Sequence, residues 1–251
     1  MRGFCELIDA IFDVVFPPIC LSCETIVGEN EKTLSLCTSC RSRLKTTSGF
    51  FCPACGRRLP APHVPCHGGV QFVLAAPFFF EDPVIRKIIH LLKYSHIKRA
   101  AAPLAFFIVS YLQSITSIKD AGYDDFVMIP TPLHSSRERR RGFNQSLLIA
   151  QEMEKFSKIL DGEHRLPNFR IEAGVLARVR KTAPQIKQSS RAARAENVRG
   201  CFAIRDASKI AGRNIFLVDD VFTSGATMGE LARLLKTNGA KKIIAIVAAK
   251  A

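Results

Sequence analysis

The 251 residues are 47% apolar and 23% charged, which argues against disorder and suits one full-size globular domain with a small accessory module. The formal net charge of +14 favours polyanions as partners, namely nucleic acid, phosphorylated small molecules or an anionic membrane surface. Nine cysteines could build a secreted disulfide scaffold, but eight lie in the first 66 residues and six of these form three CxxC pairs, the spacing of metal ligands in a reducing compartment.

At the amino end, Glu6, Asp9 and Asp13 interrupt what would be the apolar core of a signal peptide. Phe4, Leu7, Ile8, Ile11, Phe12 and Val15 instead share one face of a short amphipathic helix. Cys20, Cys23, Cys37 and Cys40 follow as two CxxC pairs with thirteen residues between them, and four thiolates at that spacing close a tetrahedral zinc site. Cys52, Cys55 and Cys66 supply three ligands of a second site, with His67 or His63 near enough to be the fourth. Ligation by the adjacent Cys66 and His67 is awkward, so a degraded site held by packing is the alternative. A structural zinc replaces the hydrophobic core that about fifty residues cannot build. Cys5 and Cys201 read as small buried apolar residues.

Composition changes near residue 70 and divides the chain into residues 1–69 and 70–251. In the second unit, Phe72 to Phe80 reads as a strand or strand pair. Asp82-Pro83 opens a helix through Tyr94, with Val84, Ile85, Ile88, Ile89, Leu91 and Leu92 on its apolar face. A second helix runs from about Ala102 to Ser117, and its longest apolar run, Leu104 to Val109, is far short of the ~20 residues that span a bilayer. Phe126 to Ile129 is a short buried strand stopped by Pro130-Thr131-Pro132. A basic loop, Arg137 to Arg141, precedes a helix from Asn144 to Ile159. Val175–Val179, Cys201–Ile204, Ile215–Val218 and Lys242–Val247 look like strands, and Met228 to Asn238 like a helix ended by Gly239. That order is the order of an open α/β sheet.

Within it, Ile215-Phe-Leu-Val-Asp-Asp-Val-Phe-Thr-Ser-Gly-Ala-Thr-Met228 delivers two carboxylates to the carboxyl end of a buried strand, where open α/β sheets bind ligands. Thr223, Ser224, Gly225, Ala226 and Thr227 then leave backbone N–H groups exposed at the start of a helix, a concavity that fits a phosphate. Carboxylates accept from ribose hydroxyls and loop amides donate to phosphate oxygens. An isolated Asp-Asp would merely end a strand and cap a helix; the whole string tips the reading toward a sugar phosphate.

A second anion site is available in the turn Pro130-Thr131-Pro132-Leu133 followed by Arg137, Arg139, Arg140, Arg141, Gly142, Phe143, Asn144 and Gln145. Residues 178 to 199 add Arg178, Arg180, Lys181, Gln185, Lys187, Arg191, Arg194 and Arg199 against one acid, Glu196. Both segments are candidates to hold pyrophosphate or DNA phosphates; solvated surface is the bland alternative. Lys181 is the one weak candidate for a catalytic lysine, and His90, His96, His134 and His164 are given no chemistry.

The string through Thr227 resembles the phosphoribosyl-pyrophosphate (PRPP) motif of type I phosphoribosyltransferases. The resemblance implies that Asp219 and Asp220 hold the ribose hydroxyls and that Thr223 to Thr227 hold the 5′-phosphate. It also implies Mg²⁺ on the pyrophosphate, kept mostly by ligand oxygens and water. The CxxC pairs, LLKY (91–94), IPTPLHSSRERRRGFNQS (129–146), RKTAPQ (180–185), ENVRGCF (196–202) and LVDDVFTSGAT together resemble the ComF competence family. The family's second zinc ribbon wants a fourth ligand about three residues after Cys66, where this chain has Gly69.

That resemblance implies a type I phosphoribosyltransferase-like open, mainly parallel sheet flanked by helices behind a zinc-ribbon module, in a cytoplasmic protein that handles single-stranded DNA. Three functions follow as expectations. The first is DNA handling, with a PRPP or related sugar-phosphate pocket as a ligand site. The second is an active transfer of phosphoribosyl to a base or amine. The third is a scaffold whose ribbon docks a helicase-like competence protein. Against the enzyme, no segment specifies a nucleobase and no third carboxylate stands out as a general base. Against DNA binding, three tyrosines and no tryptophan are few stacking platforms, although eighteen phenylalanines remain.

Overall fold

The computed structural model describes residues 17–60, 65–115, 125–160, 166, 168–181 and 191–251. The expected amino-terminal helix, His63, His164, Thr182 and Gln185 lie outside the described residues.

The amino-terminal module is built of turns and two short helices, α1 (Glu29–Lys32) and α2 (Thr38–Ser42). Isolated bridges Ile19–Ile26 and Phe51–Arg58 close its two loops. The chain then forms β1 (Val73–Ala75) and β2 (Phe78–Phe79), the expected strand pair.

Helix α3 (Pro83–Tyr94) begins where expected, because Asp82 accepts from the N–H groups of Val84 and Ile85 at 2.9 and 3.1 Å and Pro83 presets the first turn. Its buried face is Val84, Ile85, Ile88, Ile89 and Leu92. A 3₁₀ turn, Lys98–Ala100, leads into α4 (Ala101–Ser114), and β3 (Asp125–Pro130) follows.

The segment expected as a basic loop is a helix, α5 (Ser135–Arg141). Arginine is a good helix former, His134 Nδ1 accepts from Ser136 N–H at 3.2 Å, and Gly142 ends the helix in the left-handed region at φ 76°. Helix α6 (Gln145–Ile159) starts directly after it, capped by Asn144.

Strand β4 (Asn168–Ile171) was not anticipated, since its only apolar residues are Phe169 and Ile171. Strands β5 (Leu176–Arg178) and β6 (Phe202–Ile204) form a separate antiparallel ribbon, and α7 (Arg191–Val198) lies between them in the chain. The carboxyl-terminal part is β7 (Asn214–Phe222), α8 (Ala226–Thr237) and β8 (Lys242–Lys250).

The main sheet is open and parallel, in the order β1-β8-β7-β3-β4, with β2 also pairing to β8. Alternate residues of its strands point to opposite faces. Phe126, Met128, Phe216, Val218, Ile244 and Ile246 pack with α3, α4 and α6 on one side. Val127, Ile129, Ile215, Leu217, Ile243 and Ala245 pack with α8 and the β5–β6 ribbon on the other. No helix among the described residues is long and apolar enough to cross a membrane.

The cysteine module is joined to this sheet and not tethered beside it. Phe51 and Leu74 exchange N–H to carbonyl bonds at 2.8 and 3.0 Å. Lys87 of α3 donates to Ser22 O at 2.6 Å, and the Tyr111 hydroxyl of α4 donates to Gly49 O. Leu36, Phe50 and Leu59 belong to the same buried cluster as α3 and α4.

Candidate functional site

Strands β3 and β7 are neighbours whose onward connections run in opposite directions. β3 leads through α5 and α6 to β4 on one side, and β7 leads through α8 to β8 on the other. The crevice outside the carboxyl ends of two such strands is the usual ligand position in an open α/β sheet.

The two strands stay paired as far as Pro130–Val218. Thr131 N–H donates to Val218 O at 2.8 Å, and the chain then turns away. β7 was expected to stop at Val218, but it continues along β8 to Phe222–Lys250, because the apolar run of β8 extends through Ala249 and keeps a partner beside it. Asp219 and Asp220 therefore lie within the strand, held on the β8 side with the gap left by β3 on the other.

That gap opens into a cavity of about 540 Å³. Asp219, Asp220 and Thr223 line it, as do Gly225, Ala226 and Thr227 at the start of α8. Thr131, Pro132 and Leu133 contribute from the turn after β3, and Arg137, Arg140, Arg141 and Arg178 supply the cations. Gly225 sits at φ +76°, and a Cβ there would lie 2.7 Å from Cζ of Phe222, so only glycine lets the loop close onto the strand end.

The two carboxylates are held differently. Asp219 Oδ1 accepts from the Ser146 hydroxyl at 2.8 Å and from the Asp220 N–H at 2.9 Å. Burial, and after it the Asp220 charge, pushes the Asp219 carboxyl up to about 7. Asp220, with its side chain 4% exposed, pairs through Oδ1 with Lys93 Nζ at 2.8 Å. Burial pulls the Lys93 ammonium down, but the Asp220 carboxylate outweighs it and leaves that group raised. Two buried atoms of the cavity wall, Asp220 Oδ2 and Thr131 Oγ1, have no hydrogen-bond partner among the described residues. Buried polar atoms seldom stay unsatisfied, which suits a ligand-bearing surface.

The cations are also held. Gln145 Oε1 accepts from Arg141, whose carbonyl lies 2.9 Å from His96 Nδ1. Arg178 stacks over the Phe202 ring at 5.2 Å. Burial, and then the charge of Arg137, lowers Arg178, as expected where like charges crowd.

Several sequence candidates fall elsewhere. Asn144 is spent on structure: its Oδ1 accepts from Ser146 and Leu147 N–H at 2.9 and 3.4 Å, and its Nδ2 donates to Thr131 O at 3.0 Å. It places the turn instead of lining the cavity. Arg180 donates to Cys201 Sγ at 3.3 Å and to Arg199 O at 2.8 Å, Lys181 is exposed outside the cavity, and Ser224 lines a neighbouring cavity with Arg199 and Arg233. Gln145, expected at the second anion site, lines the cleft, and so do Lys93 and Tyr94, to which the sequence assigns no ligand role. For Lys93 the available signal was its place in LLKY, next to the buried face of α3.

In the cysteine module two groups of ligand atoms converge. The Sγ atoms of Cys20, Cys23, Cys37 and Cys40 lie within 4.8 Å of one another, as do those of Cys52, Cys55 and Cys66 with a ring nitrogen of His67. Cys23–Cys37 and Cys55–Cys66 are 3.6 and 3.5 Å apart, and His67 Nδ1 is 3.6 Å from Cys52 Sγ and 3.3 Å from Cys66 Sγ. Tetrahedral Zn–S bonds place sulfurs about 3.8 Å apart, so both groups fit zinc. His67 completes the second group in spite of its adjacency to Cys66. Backbone N–H groups of Ser22, Cys37 and Cys40 point at Cys20 and Cys37 sulfurs at 3.4 to 3.5 Å, the outer contacts a thiolate site uses.

Comparison with known proteins finds two domain families in the chain. Residues 11–68 match the double zinc ribbon domain and residues 162–251 the phosphoribosyl transferase domain. The chain is 30% identical over 215 residues to the DNA utilization protein YhgH of Escherichia coli O6:H1, covering 83% of this chain and 87% of that protein. It is 26% identical over 238 residues to competence protein ComFC of Bacillus subtilis, covering 88% and 90%. A shorter match, 33% over 117 residues and 46% of each chain, is to competence protein F of Haemophilus influenzae. With the ribbon match and the two converging clusters, zinc is a structural metal of this fold.

Proposed function

The chain belongs to the ComF competence family, and from that membership we propose that it handles single-stranded DNA in the cytoplasm during DNA uptake or utilization and carries a PRPP pocket. Residues 1–69 would be the ribbon module and residues 70–251 the sugar-phosphate unit. The reading rests on one observation: an acidic pair, a helix-start loop and four arginines face a single cavity at the switch point of the sheet.

In this reading Asp219 and Asp220 accept from the ribose hydroxyls and the amides around Thr223 to Thr227 hold the 5′-phosphate. Thr131 to Leu133 with Arg137, Arg140, Arg141 and Arg178 receive the pyrophosphate. Mg²⁺ would arrive on the pyrophosphate oxygens of the ligand, since among the described residues the arginine-lined end offers no carboxylate to hold it. Three of these arginines, Arg137, Arg140 and Arg141, lie on α5, where Arg140 is exposed and the other two half-buried, and they would supply phosphate contacts for a single strand.

The test is a melting experiment with Mg²⁺ and PRPP. A saturating ligand at about 100 times its dissociation constant adds about 2.7 kcal/mol to the folded state, and the resulting rise should vanish in Asp219→Asn/Asp220→Asn. An equal rise in both proteins, or none in either, removes the pocket. Single-strand affinity should fall with salt at a log-log slope of about −0.7 per neutralised phosphate, and Arg137→Gln/Arg140→Gln should flatten it. Pyrophosphate released when a base or amine is supplied would shift the reading to an active phosphoribosyltransferase.

A further inference from the structure

The acidic pair at the floor of the cleft is already neutralised by the protein. Lys93, at the end of α3, reaches Asp220 Oδ1 at 2.8 Å, while Asp219 is engaged by Ser146 and by the Asp220 amide. A divalent ion brought to this pair would stand within a few ångströms of an ammonium, where like charges repel strongly. Asp220 Oδ2 is buried and has no hydrogen-bond partner among the described residues, a position that a neutral hydroxyl donor can satisfy. Among the described residues five cationic side chains and two carboxylates line the cavity, a field that draws anions more than a metal ion.

We propose that Lys93 is the resident cation of the ribose end of this cleft, standing where a metal would otherwise compensate the acidic pair, so that a ribose phosphate lacking pyrophosphate binds here without a divalent ion. The inference rests on the sugar-phosphate reading of the cavity and adds who supplies its charge. Lys93 acts through Asp220: the ammonium, 2.8 Å away, fixes that side chain in place, and Asp220 meets the sugar. A pair serving stability alone would have no reason to border the cavity, since burying two charges costs about as much as their attraction returns.

The probe is ribose 5-phosphate, titrated by calorimetry into the zinc-loaded full chain in metal-depleted buffer, with and without millimolar Mg²⁺. Native affinity should agree within about twofold in the two buffers, whereas Lys93→Met, which leaves a buried carboxylate uncompensated, should become magnesium-dependent by about tenfold or more. Lys93→Arg keeps the charge and should keep the indifference. A native affinity that rises about tenfold with Mg²⁺ overturns the proposal, and so does a folded Lys93→Met protein that binds equally well in both buffers. Should Lys93→Met not fold, the native and Lys93→Arg titrations decide alone. Binding that needs Mg²⁺ defeats this inference and leaves the pocket standing; no binding of either ribose 5-phosphate or PRPP under any condition defeats both.

Discussion

Asp219 keeps its proton further up the pH scale than an aspartate in water, because it is buried beside a second carboxylate. Its folded value, about 7, lies above the ordinary 3.8, so between those limits the folded chain holds a proton that the unfolded chain has released. Stability from this group is present in full below the ordinary value and is lost as pH climbs from about 4 to 7. Ligand binding runs the other way, since the carboxylate must be ionised to accept ribose hydroxyls at their best. Affinity for ribose 5-phosphate should therefore increase across about pH 6 to 8 by more in the native protein than in Asp219→Asn, which keeps only the contribution of the phosphate's own ionisation. Calorimetric titrations of the two proteins give the comparison; identical slopes would show that another group titrates.

Helix α6 depends on one side chain for two connections. Asn144 caps its first turn and also holds the Thr131 carbonyl, so the helix start and the turn after β3 move together. Asn144→Ala should cost about 1–2 kcal/mol in urea unfolding, the usual value of a lost cap, and Asn144→Asp should recover the cap but not the bond to Thr131. Equal stability of all three proteins would mean that water replaces both contacts. Helices α3 and α6 were legible in the sequence because cap and apolar face are local signals, and the phosphate loop was legible because its whole string is contiguous. The Arg137–Arg141 stretch was read as loop because charge was the visible feature, while the His134 cap and the Gly142 stop are weaker cues. The Lys93–Asp220 and Ser146–Asp219 contacts join elements far apart in the chain, and no spacing rule reveals such pairs. Strand β4, with two apolar residues at a sheet edge, carried too little pattern to be seen.

At the scale of the molecule, the zinc ribbon and the sheet share a core, with Leu36 and Phe50 of one packed with Ile85, Leu104 and Ile108 of the other. Zinc should therefore stabilise more than its own loops. Stripping it with a strong chelator is expected to lower the melting temperature of the whole chain and to raise binding of an apolar dye, because ribbons of this size do not hold without metal. An unchanged melting curve would show that packing alone keeps the module in place. The reciprocal bonds between Phe51 and Leu74 give this coupling a further side. They lay the second knuckle along the outer flank of β1, where bare amides and carbonyls would otherwise recruit a passing strand. Loss of zinc would therefore uncover that edge of the sheet as well as loosen the shared core.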